Sequence, residues 1–404
     1  MKILVASSSP PDRGQGITAY ARSLCEALAG MGVEVHFLSP EPRDRSWLER
    51  FGVAHFAADQ HGDAVASCRE LLDYVSHHAI DGAINNDNPF LQSVAPLLPC
   101  PLVSVGHMPR RSVAALACYQ HEWVDHVVTI SADMQRAYVS RYGVPPTKCP
   151  IVYCGVPDPG EPIAIAAQPS EPLRVVFAGG YTRNKGGKLM LDAVLAGADR
   201  WRGVHLDWFG GVPDAVARRL EGLPHVSVHG RVPRDELHAT LARADVFVLA
   251  SYAEGCPMAL LEAMSFGVAP VCSDGIGAMR WLVTHGRNGY ICQLDDFGDQ
   301  LLDCLSHLRS HPATLSALQR AARASYLDGL TSDQLAERLI QLLQQPTVDR
   351  SRRPARVPVL RWHRPMSYES AKSPLLDRIC IRLGILRRAG VLEAGSVRSR
   401  RDPD

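Results

Sequence analysis

The sequence lacks the marks of several large protein classes. No apolar stretch approaches the roughly 18–20 residues that a membrane span requires. The run Ile3–Ala6 follows a single basic residue and is too short for the core of a signal peptide. The eleven cysteines are scattered with no C-x-x-C spacing, so a zinc cluster or a thioredoxin-type site has no support. Because their number is odd and the chain is long, a reduced compartment fits better than secretion, and we expect a cytoplasmic protein.

The chain as a whole has no excess of either charge, but its charge is unevenly distributed. The formal net charge of +1 gives no reason to expect nucleic acid as a partner. Residues 349–404 nevertheless contain 14 Lys and Arg against six Asp and Glu, so an acidic body carries a basic tail. Within the tail, Leu375–Arg388 has apolar residues at helical spacing. Two interpretations stay open: this segment contacts an anionic membrane face peripherally, or it is an ordinary helix packed on the body.

Length and hydrophobic patterning predict two α/β domains. The chain has 404 residues, 46% of them hydrophobic and 21% charged, which is typical of globular proteins with more than one core. Short apolar runs alternate with amphipathic stretches, which predicts parallel sheets covered by helices on both faces. The first series of predicted strands is Ile3–Ala6, Val33–Leu38, Gly82–Ile84, Leu102–Val105 and Val127–Ile130. The second series is Arg174–Ala178, Val204–Phe209, Val226–His229, Val246–Ala250 and Ala269–Cys272. The predicted helices include Thr18–Ala29, Arg234–Ala244 and Met258–Phe266.

A stretch rich in Pro and Gly separates the two series. Residues 154–162 contain three prolines and two glycines, which is typical of a linker between domains. We therefore expect an N-terminal domain at 1–155, a linker at 156–172, a C-terminal domain at 173–345 and a basic extension at 346–404. Both domains should be doubly wound Rossmann-like sheets, which bind ligands at the carboxyl ends of their strands. We expect them to face each other, with the ligand in the cleft between them.

The segment at residues 251–267, SYAEGCPMALLEAMSFG, has the pattern of an anion site. It follows a predicted strand, and Pro257 favours the start of a helix because proline has no N–H to leave unpaired. This places Glu254 in the loop before the helix and Glu262 about two turns behind it. The positive end of the helix suits a diphosphate, and the two carboxylates can accept hydrogen bonds from sugar and ribose hydroxyls. The backbone N–H groups nearest this end belong to Gly255, Cys256 and Met258.

Glu254 and Glu262, with seven residues between them, resemble the E-x7-E motif of family 4 glycosyltransferases of the GT-B fold. Residues 230–237 and 244–249 before the motif, and 269–271 and 285–289 after it, resemble the same family in order. In the first half, Thr129–Val156 resembles the end of the N-terminal domain, and the likeness covers roughly residues 1–340. Two glutamates alone are a weak signal, whereas the ordered set is strong. The resemblance implies a nucleotide-sugar donor bound by the C-terminal domain, an acceptor-side N-terminal domain, and retention at the anomeric carbon.

The loop at residues 177–187, FAGGYTRNKGG, is the second candidate for donor binding. Its glycines allow the backbone to approach a phosphate, and lysine adds a point charge. The family loop reads G-R-x-x-x-x-K-G, and Lys185 matches the lysine, whereas Gly180 stands where the family has arginine. Arg183 is the nearest replacement. The alternative interpretation is a glycine-rich surface turn with solvated cations.

Two elements of the N-terminal domain complete the prediction. Gly14 and Gly16 resemble the glycine-rich loop that lies beside the donor phosphates in this family, although G-x-G alone is weak and Ala19 stands where a third glycine would complete the fingerprint. His107 follows a predicted strand and matches a family histidine near the reacting sugar carbon. We expect it to orient sugar hydroxyls and stabilise charge, although a lone histidine is more often structural.

We expect a transfer without a bound metal. The only D-x-D is Asp402-Pro403-Asp404, at the end of the tail, so Lys185, Arg183 and the helix end at residues 255–258 would neutralise the departing diphosphate. No carboxylate of the first domain stands out as a nucleophile, which favours attack by the acceptor hydroxyl on the face from which the phosphate leaves.

These inferences predict a hexosyltransferase in cell-envelope or exopolysaccharide synthesis, with a glycan or lipid-linked acceptor. It needs no cofactor beyond the nucleotide sugar. An epimerase of the same fold and a nucleotide-sugar-binding pseudoenzyme are the alternatives. The predicted catalytic residues are His107, Lys185 and Glu254. The predicted donor-binding residues are Gly14, Gly16, Arg183, Lys185, Arg231, Glu254, Gly255, Cys256, Met258 and Glu262.

Overall fold

The computed structural model describes residues 1–13, 16–57, 63–108, 111–160, 171–362 and 386–393, and these form two compact units. The first unit comprises Met1–Cys154 and the chain from Ser332 onward, and the second comprises Gly155–Thr331.

Strands and helices alternate through both units. The strands are β1 Lys2–Ala6, β2 Glu34–Ser39, β3 Ala54–Ala57, β4 Gly82–Asn85, β5 Leu102–Gly106, β6 His126–Thr129, β7 Leu173–Ala178, β8 Val204–Phe209, β9 Val226–Gly230, β10 Val246–Leu249, β11 Ala253–Glu254, β12 Ala269–Ser273, β13 Ile276–Gly277, β14 Tyr290–Cys292, β15 Arg356–Trp362 and β16 Leu386–Glu393. The α-helices are α1 Gly16–Gly30, α2 Ser46–Arg50, α3 Ala64–His77, α4 Pro89–Ser93, α5 Arg111–Ala117, α6 Ala132–Tyr142, α7 Gly187–Leu195, α8 Asp214–Leu220, α9 Arg234–Leu241, α10 Met258–Ser265, α11 Met279–Leu282, α12 Phe297–Ser310, α13 Pro312–Leu327 and α14 Ser332–Leu343.

The first unit is built on a six-stranded parallel sheet in the order β3-β2-β1-β4-β5-β6. The strands are short apolar runs, and β4, β5 and β6 are buried along their whole length because helices cover both faces. The strand order reverses at β1, which pairs with β2 on one side and β4 on the other. A parallel sheet of this kind binds ligands beyond the carboxyl ends of its strands at such a point.

The second unit has a sheet of the same kind, in the order β14-β12-β10-β7-β8-β9, again parallel throughout. Its core combines β-branched residues of the strands with the apolar faces of α7 and α12. The short strands β11 and β13 pair beyond the carboxyl ends of β10 and β12. Both sheets thus have the predicted doubly wound α/β architecture of the GT-B fold.

The end of the chain differs from the predicted division into domains. The predicted C-terminal domain extends to residue 345, whereas the structure assigns the chain from Ser332 to the first unit. The cause is the apolar face of α14, which packs on α1 and β5 of that unit. The residues of α14 that are buried on this face include Leu335, Leu339, Leu342 and Leu343.

Six of the described strands were not predicted, namely β3, β11, β13, β14, β15 and β16. Strands β3 and β14 are short edge strands of four and three residues, with little periodicity to mark them. Strands β15 and β16 form an antiparallel pair that packs on α3 and α4. The predicted helix at Leu375–Arg388 is wrong for its last three residues, since Leu386–Arg388 pair with β15. Its remaining residues, 375–385, lie outside the described part of the chain.

Candidate functional site

Glu254 and Lys185 form an ion pair in the second unit. Lys185 Nζ donates to Glu254 Oε1 at 2.7 Å, and Ser251 Oγ donates to the same oxygen at 2.6 Å. The Glu254 side chain is 8% exposed and that of Lys185 is 39% exposed. A nearly buried carboxylate thus has a cationic partner, whose ammonium group also remains accessible to a second anion.

Close backbone packing holds the loops that carry this pair. Gly186 has a left-handed conformation, with φ +66°, and a Cβ there would lie 1.9 Å from the carbonyl oxygen of Ala250. Gly277 has φ +111°, and a Cβ there would lie 1.8 Å from the Glu254 carbonyl oxygen. Only glycine fits both positions, so the three loops after β7, β10 and β12 interlock around the carboxylate.

The N-terminal end of α10 lies directly after Glu254. The helix begins at Met258, the predicted first residue, and Pro257 occupies the cap position. Gly255 and Met258 are buried, whereas Cys256 is half-buried and accepts the Met258 N–H through its carbonyl oxygen at 3.0 Å. The positive end of the helix dipole and the Lys185 ammonium group are therefore both next to Glu254.

Glu262 lies on α10 and is 7% exposed. Its Oε1 accepts from Arg234 Nε at 2.8 Å, and His238 Nε2 lies 3.5 Å from the same oxygen. The Nη2 group of Arg234 is buried without a hydrogen-bond partner among the described residues. Arg234 and His238, both on α9, were not identified from the sequence, because no local pattern connects them to a glutamate on another helix.

The other predicted cations of this unit lie on its surface. Arg183 and Arg231 are exposed, and within the described chain neither guanidinium group forms a hydrogen bond. Gly180, which replaces the family arginine, packs tightly, because a Cβ there would lie 3.3 Å from the Gly211 carbonyl oxygen. A side chain at position 180 would therefore require Gly211 to move by a few tenths of an ångström.

In the first unit, His107 lies at the carboxyl end of β5 and is 4% exposed. Its Nε2 lies 3.1 Å from Asn86 Oδ1, and the Tyr20 ring packs against it edge to face at 4.6 Å between centroids. Burial lowers the pKa of His107 to about 3, so the imidazole is neutral near pH 7. His107 therefore cannot stabilise charge through a positive charge of its own. Gly16 is the exposed first residue of α1, and Gly14 lies outside the described residues.

The first unit also contains a buried carboxylate that was not predicted from the sequence. Asp87 follows β4 and is 4% exposed. It accepts from the Ser8 backbone N–H at 2.7 Å, from Ser8 Oγ at 2.5 Å and from Ser7 Oγ at 3.3 Å. Burial raises the pKa of Asp87, and the hydrogen bonds from Ser8 and Ser7 act in the opposite direction. The signal that could have identified it is the polar run Asn85–Asn88, which begins at the last residue of the buried strand β4.

Neither a metal site nor a membrane-spanning helix is present in the described ranges. Among these residues, no group of three or more His, Cys, Asp or Glu side chains could together hold a metal ion. None of the described helices combines the length and apolar character needed to cross a membrane.

Two protein-family models match the chain in succession. The model for Glycosyltransferase Family 4 matches residues 14–158, and that for Glycosyl transferases group 1 matches residues 172–311. A glycogen synthase of Mycobacterium tuberculosis is 26% identical over 236 residues, which is 55% of this chain and 54% of that protein. The teichuronic acid biosynthesis glycosyltransferase TuaC of Bacillus subtilis is 31% identical over 106 residues, 26% of each chain.

The fold has close structural counterparts. The crystal structure of Anabaena HepE in complex with UDP superposes with a TM-score of 0.67 at 16% identity, covering 85% of this chain and 100% of HepE. HepE has also been crystallised with UDP-glucose. The chain spans about half the length of the glycogen synthase that it matches. With the two successive family models and the two parallel sheets, the chain belongs to the GT-B glycosyltransferases of the family 4 type.

Proposed function

We propose that the protein is a retaining hexosyltransferase that moves a sugar from a nucleotide-sugar donor to a hydroxyl of a glycan or lipid-linked acceptor, without a bound metal. The observation that carries the proposal is the ion pair of Lys185 and Glu254 beside the positive end of α10. An ammonium group and a helix end favour a diphosphate, and a carboxylate next to them accepts hydrogen bonds from sugar hydroxyls. Support for polysaccharide synthesis comes from the names of the relatives, glycogen synthase and TuaC.

Each part of the donor has a counterpart in these residues. Lys185 and the N–H groups at the start of α10 would bind the diphosphate and stabilise its growing negative charge as it departs. Glu254 would accept from the hydroxyls of the transferred sugar. Only one oxygen of Glu262 forms hydrogen bonds within the described structure, so the other is available to a ribose hydroxyl. Arg183 and Arg231 would reach the phosphates or the base only after their exposed side chains reorient.

The reaction we propose proceeds on one face of the sugar. The bond from the anomeric carbon to the phosphate oxygen breaks, the bond to the acceptor oxygen forms, and the acceptor proton passes to the departing phosphate oxygen. Asp87 is an unsuitable nucleophile for the alternative double displacement, because its oxygens already accept hydrogen bonds from Ser7 and Ser8. Retention of configuration in the product, followed by NMR, would test this step.

A thermal-shift screen tests the donor site first. Purified protein is heated with UDP-, GDP-, ADP- and TDP-glucose and with the matching diphosphates, in parallel series with and without EDTA. A ligand at one hundred times its Kd adds about 2.7 kcal/mol to the free energy of unfolding, so one nucleotide series should raise the unfolding temperature. Stabilisation that EDTA abolishes would refute the metal-independent form of the proposal.

The epimerase and the pseudoenzyme are distinguished from a transferase by incubating the protein with the nucleotide sugar that the screen selects. If the selected donor alone is converted to a second nucleotide sugar, the protein is an epimerase. The glycine at position 180, where the family has arginine, is the feature that favours a pseudoenzyme. A pseudoenzyme would turn over no nucleotide sugar with any acceptor. The absence of any thermal shift at millimolar nucleotide would also refute the proposed nucleotide-binding site.

The basic tail supports a peripheral contact with an anionic membrane, with the protein on the cytoplasmic side. Residues 349–404 have a net charge of +8. Basic residues near an anionic surface add about 1 kcal/mol each, and salt screens this attraction. Sedimentation with phosphatidylserine vesicles at low salt, but not with phosphatidylcholine vesicles or at high salt, is the expected result. Equal binding to both vesicle types would contradict it.

A further inference from the structure

The free cysteines Cys292 and Cys304 meet between β14 and α12 of the second unit. Cys292 is the last residue of β14 and is buried, whereas Cys304 lies in the middle of α12 and is half-buried. Helical spacing places Cys304 on the same face as Leu301 and Leu308, which belong to the core that also contains Cys292. Cys304 packs against this core, and its thiol forms a hydrogen bond with the Cys292 thiol. The two sulfur atoms are therefore neighbours in the folded protein.

Cys272, on the neighbouring strand β12, is not a competing partner for Cys292. In the pairing of β12 with β14, Cys272 lies opposite Ile291, and Ser273 lies opposite Cys292. Paired residues of a sheet point to the same face, and successive residues alternate between faces. Cys272 and Cys292 consequently point to opposite faces, and Cys304 is the thiol on the Cys292 side.

The hydrogen bond gives the two thiols different reactivity. The bond from Cys292 lowers the pKa of Cys304, although burial and the charge of Asp303 act in the opposite direction. The same bond, together with burial, raises the pKa of Cys292. The thiolate is the nucleophile in thiol–disulfide exchange, and Cys304 is also the less buried of the two. Cys304 should therefore react first with a reagent from solvent, with Cys292 in position to react second.

We propose that Cys292 and Cys304 are a redox-sensitive pair, which a low-molecular-weight disulfide such as oxidised glutathione converts to a reversible disulfide bridge. The Cys304 thiolate attacks one sulfur of oxidised glutathione, whose disulfide bond breaks and releases the first glutathione thiolate. The Cys292 sulfur then attacks the Cys304 sulfur, and the second glutathione thiolate leaves. The protons of the two protein thiols pass through solvent to the two released thiolates. Two cysteines are thus oxidised while one glutathione disulfide is reduced to two thiols.

The bridge restrains a loop that packs next to Glu254. The Asp274 backbone N–H donates to the Cys292 carbonyl oxygen at 2.8 Å, and Asp274 Oδ1 accepts from the Leu294 N–H at 2.9 Å. Asp274 begins the loop after β12, which includes Gly277 against the Glu254 carbonyl oxygen. A covalent bond between Cys292 and α12 prevents β14 from separating from that helix. Amide hydrogen exchange at Asp274 should therefore be slower in the oxidised protein.

Peptide mapping tests the bridge without any substrate or variant. Trypsin releases both cysteines in one peptide, residues 288–309, which has no other cysteine and no internal Lys or Arg. The full-length protein is first reduced, then incubated with oxidised glutathione, quenched in acid, alkylated in denaturant and digested. The expected peptide is lighter by two hydrogen atoms and takes up no alkylating reagent until dithiothreitol is added. A peptide alkylated at both cysteines, or one that retains glutathione on Cys304, would overturn the proposal.

Variants test the order of the two steps. Cys292→Ser should leave a stable mixed disulfide between Cys304 and glutathione, because no second thiol displaces it. Cys304→Ser should leave Cys292 unmodified, and Cys272→Ala, the matched control, should form the bridge as the wild type does. Urea unfolding establishes that the variants are folded. Glutathione on Cys292 in folded Cys304→Ser would contradict Cys304 as the attacking thiol.

Hydrogen exchange followed by mass spectrometry tests the restraint on the loop. The wild type is compared in its reduced and its oxidised state, and slower exchange in the peptide that contains Asp274 is expected only in the oxidised state. Equal exchange in the two states, with the bridge present in the peptide map, would show that the bridge does not act on this loop. Neither measurement uses a nucleotide sugar, so failure of the proposed transfer activity would be recognised separately.

Discussion

Lys185 and Glu254 are 69 positions apart in the chain, yet their side chains meet at 2.7 Å. The reason is topological. Lys185 follows β7 and Glu254 follows β10, and these strands are neighbours in the sheet with Val175 opposite Val246. Because parallel strands all end at one edge, the loops after neighbouring strands converge there. The pair thus combines a carboxylate and a cation at the edge where such sheets bind ligands.

Loss of either member of this pair should abolish most of the transfer. We expect Lys185→Ala to lower kcat by about 10²–10³-fold, because it removes the positive charge nearest the departing diphosphate. Glu254→Gln keeps the shape of the side chain and should also lower kcat strongly. Initial rates of donor turnover measure both effects, and circular dichroism establishes that the variants are folded.

The control for Lys185 is Lys188, an exposed lysine on α7 whose Nζ pairs with Asp192 at 2.5 Å. Lys188→Ala should leave kcat unchanged, because surface ion pairs contribute little. Equal rates in the wild type and in folded Lys185→Ala would refute the assignment of the donor site.

Arg234 should control binding of the nucleoside through Glu262. Its Nε donates to Oε1 of Glu262, so Arg234→Ala releases the carboxylate and should weaken binding of the nucleoside diphosphate that the thermal screen selects roughly tenfold, the range expected for a hydrogen bond to a charged group. Isothermal titration with that diphosphate and with its 2′,3′-dideoxy analogue measures the effect. The loss should be large for the first compound and small for the second, which lacks the ribose hydroxyls.

Arg243 provides the matched control for this prediction, since it is an exposed arginine that follows the same helix. Arg243→Ala should leave the affinity for the same diphosphate unchanged. If Arg234→Ala weakened both nucleotides equally, Arg234 would act on the diphosphate or the base rather than through Glu262.

Much of the fold could be predicted because it depends on local patterns. Apolar runs of four to six residues mark the buried strands, and ten of them were predicted within one or two residues, for example Val204–Phe209. The site loop was predictable for the same reason, since Glu254 and the start of α10 are adjacent in sequence. The wrong boundary at residue 345 shows the limit: the amphipathic pattern of α14 predicts a helix but not which sheet it covers.

The partners of the site residues could not be predicted, because they come from distant parts of the chain. Asn86 is 21 positions from His107, and Arg234 is 28 positions from Glu262. No spacing rule connects such residues, since their contact depends on strand order and helix packing. The neutral state of His107 could not be predicted for a related reason, because burial lowers its pKa and burial is a property of the whole fold.

Arg350 should stabilise the first unit in a manner that depends on pH. It forms an ion pair with Asp125, which is fully buried and also accepts from the backbone N–H groups of Leu102 and Thr347. Burial raises the pKa of Asp125, but Arg350 and these backbone donors outweigh it and hold the pKa below its usual value. Arg350→Ala should therefore lower the free energy of unfolding at pH 7 by about 3–5 kcal/mol, because it leaves a buried carboxylate without its cation.

The sign of the pH effect follows from the lowered pKa of Asp125. The unfolded chain binds the proton first, near pH 3.9, so the contribution is fully present above that pH and is lost as the pH falls through the lower folded value. Urea unfolding at pH 7 and pH 3 should show the difference between the wild type and Arg350→Ala shrinking in acid. Arg352→Ala, an exposed neighbour, should have no effect at either pH. A difference that stays constant with pH would contradict the role of the Asp125 charge.

Gly186 should be the most sensitive glycine of the donor loop, and Gly222 offers a matched comparison. Both have positive φ, +66° and +80°, but a Cβ at Gly186 would lie 1.9 Å from the Ala250 carbonyl oxygen, whereas Gly222 has nothing within 4 Å. Gly222→Ala should lower the free energy of unfolding by about 1–2 kcal/mol, because alanine is strained in the left-handed conformation, and should leave the transfer rate normal. Gly186→Ala adds a clash with the backbone, so the loop must move and carry Lys185 away from Glu254. We expect a larger loss of stability and a kcat close to that of Lys185→Ala. Equal unfolding free energies and normal kcat in both variants would show that Gly186 does not hold Lys185 in place.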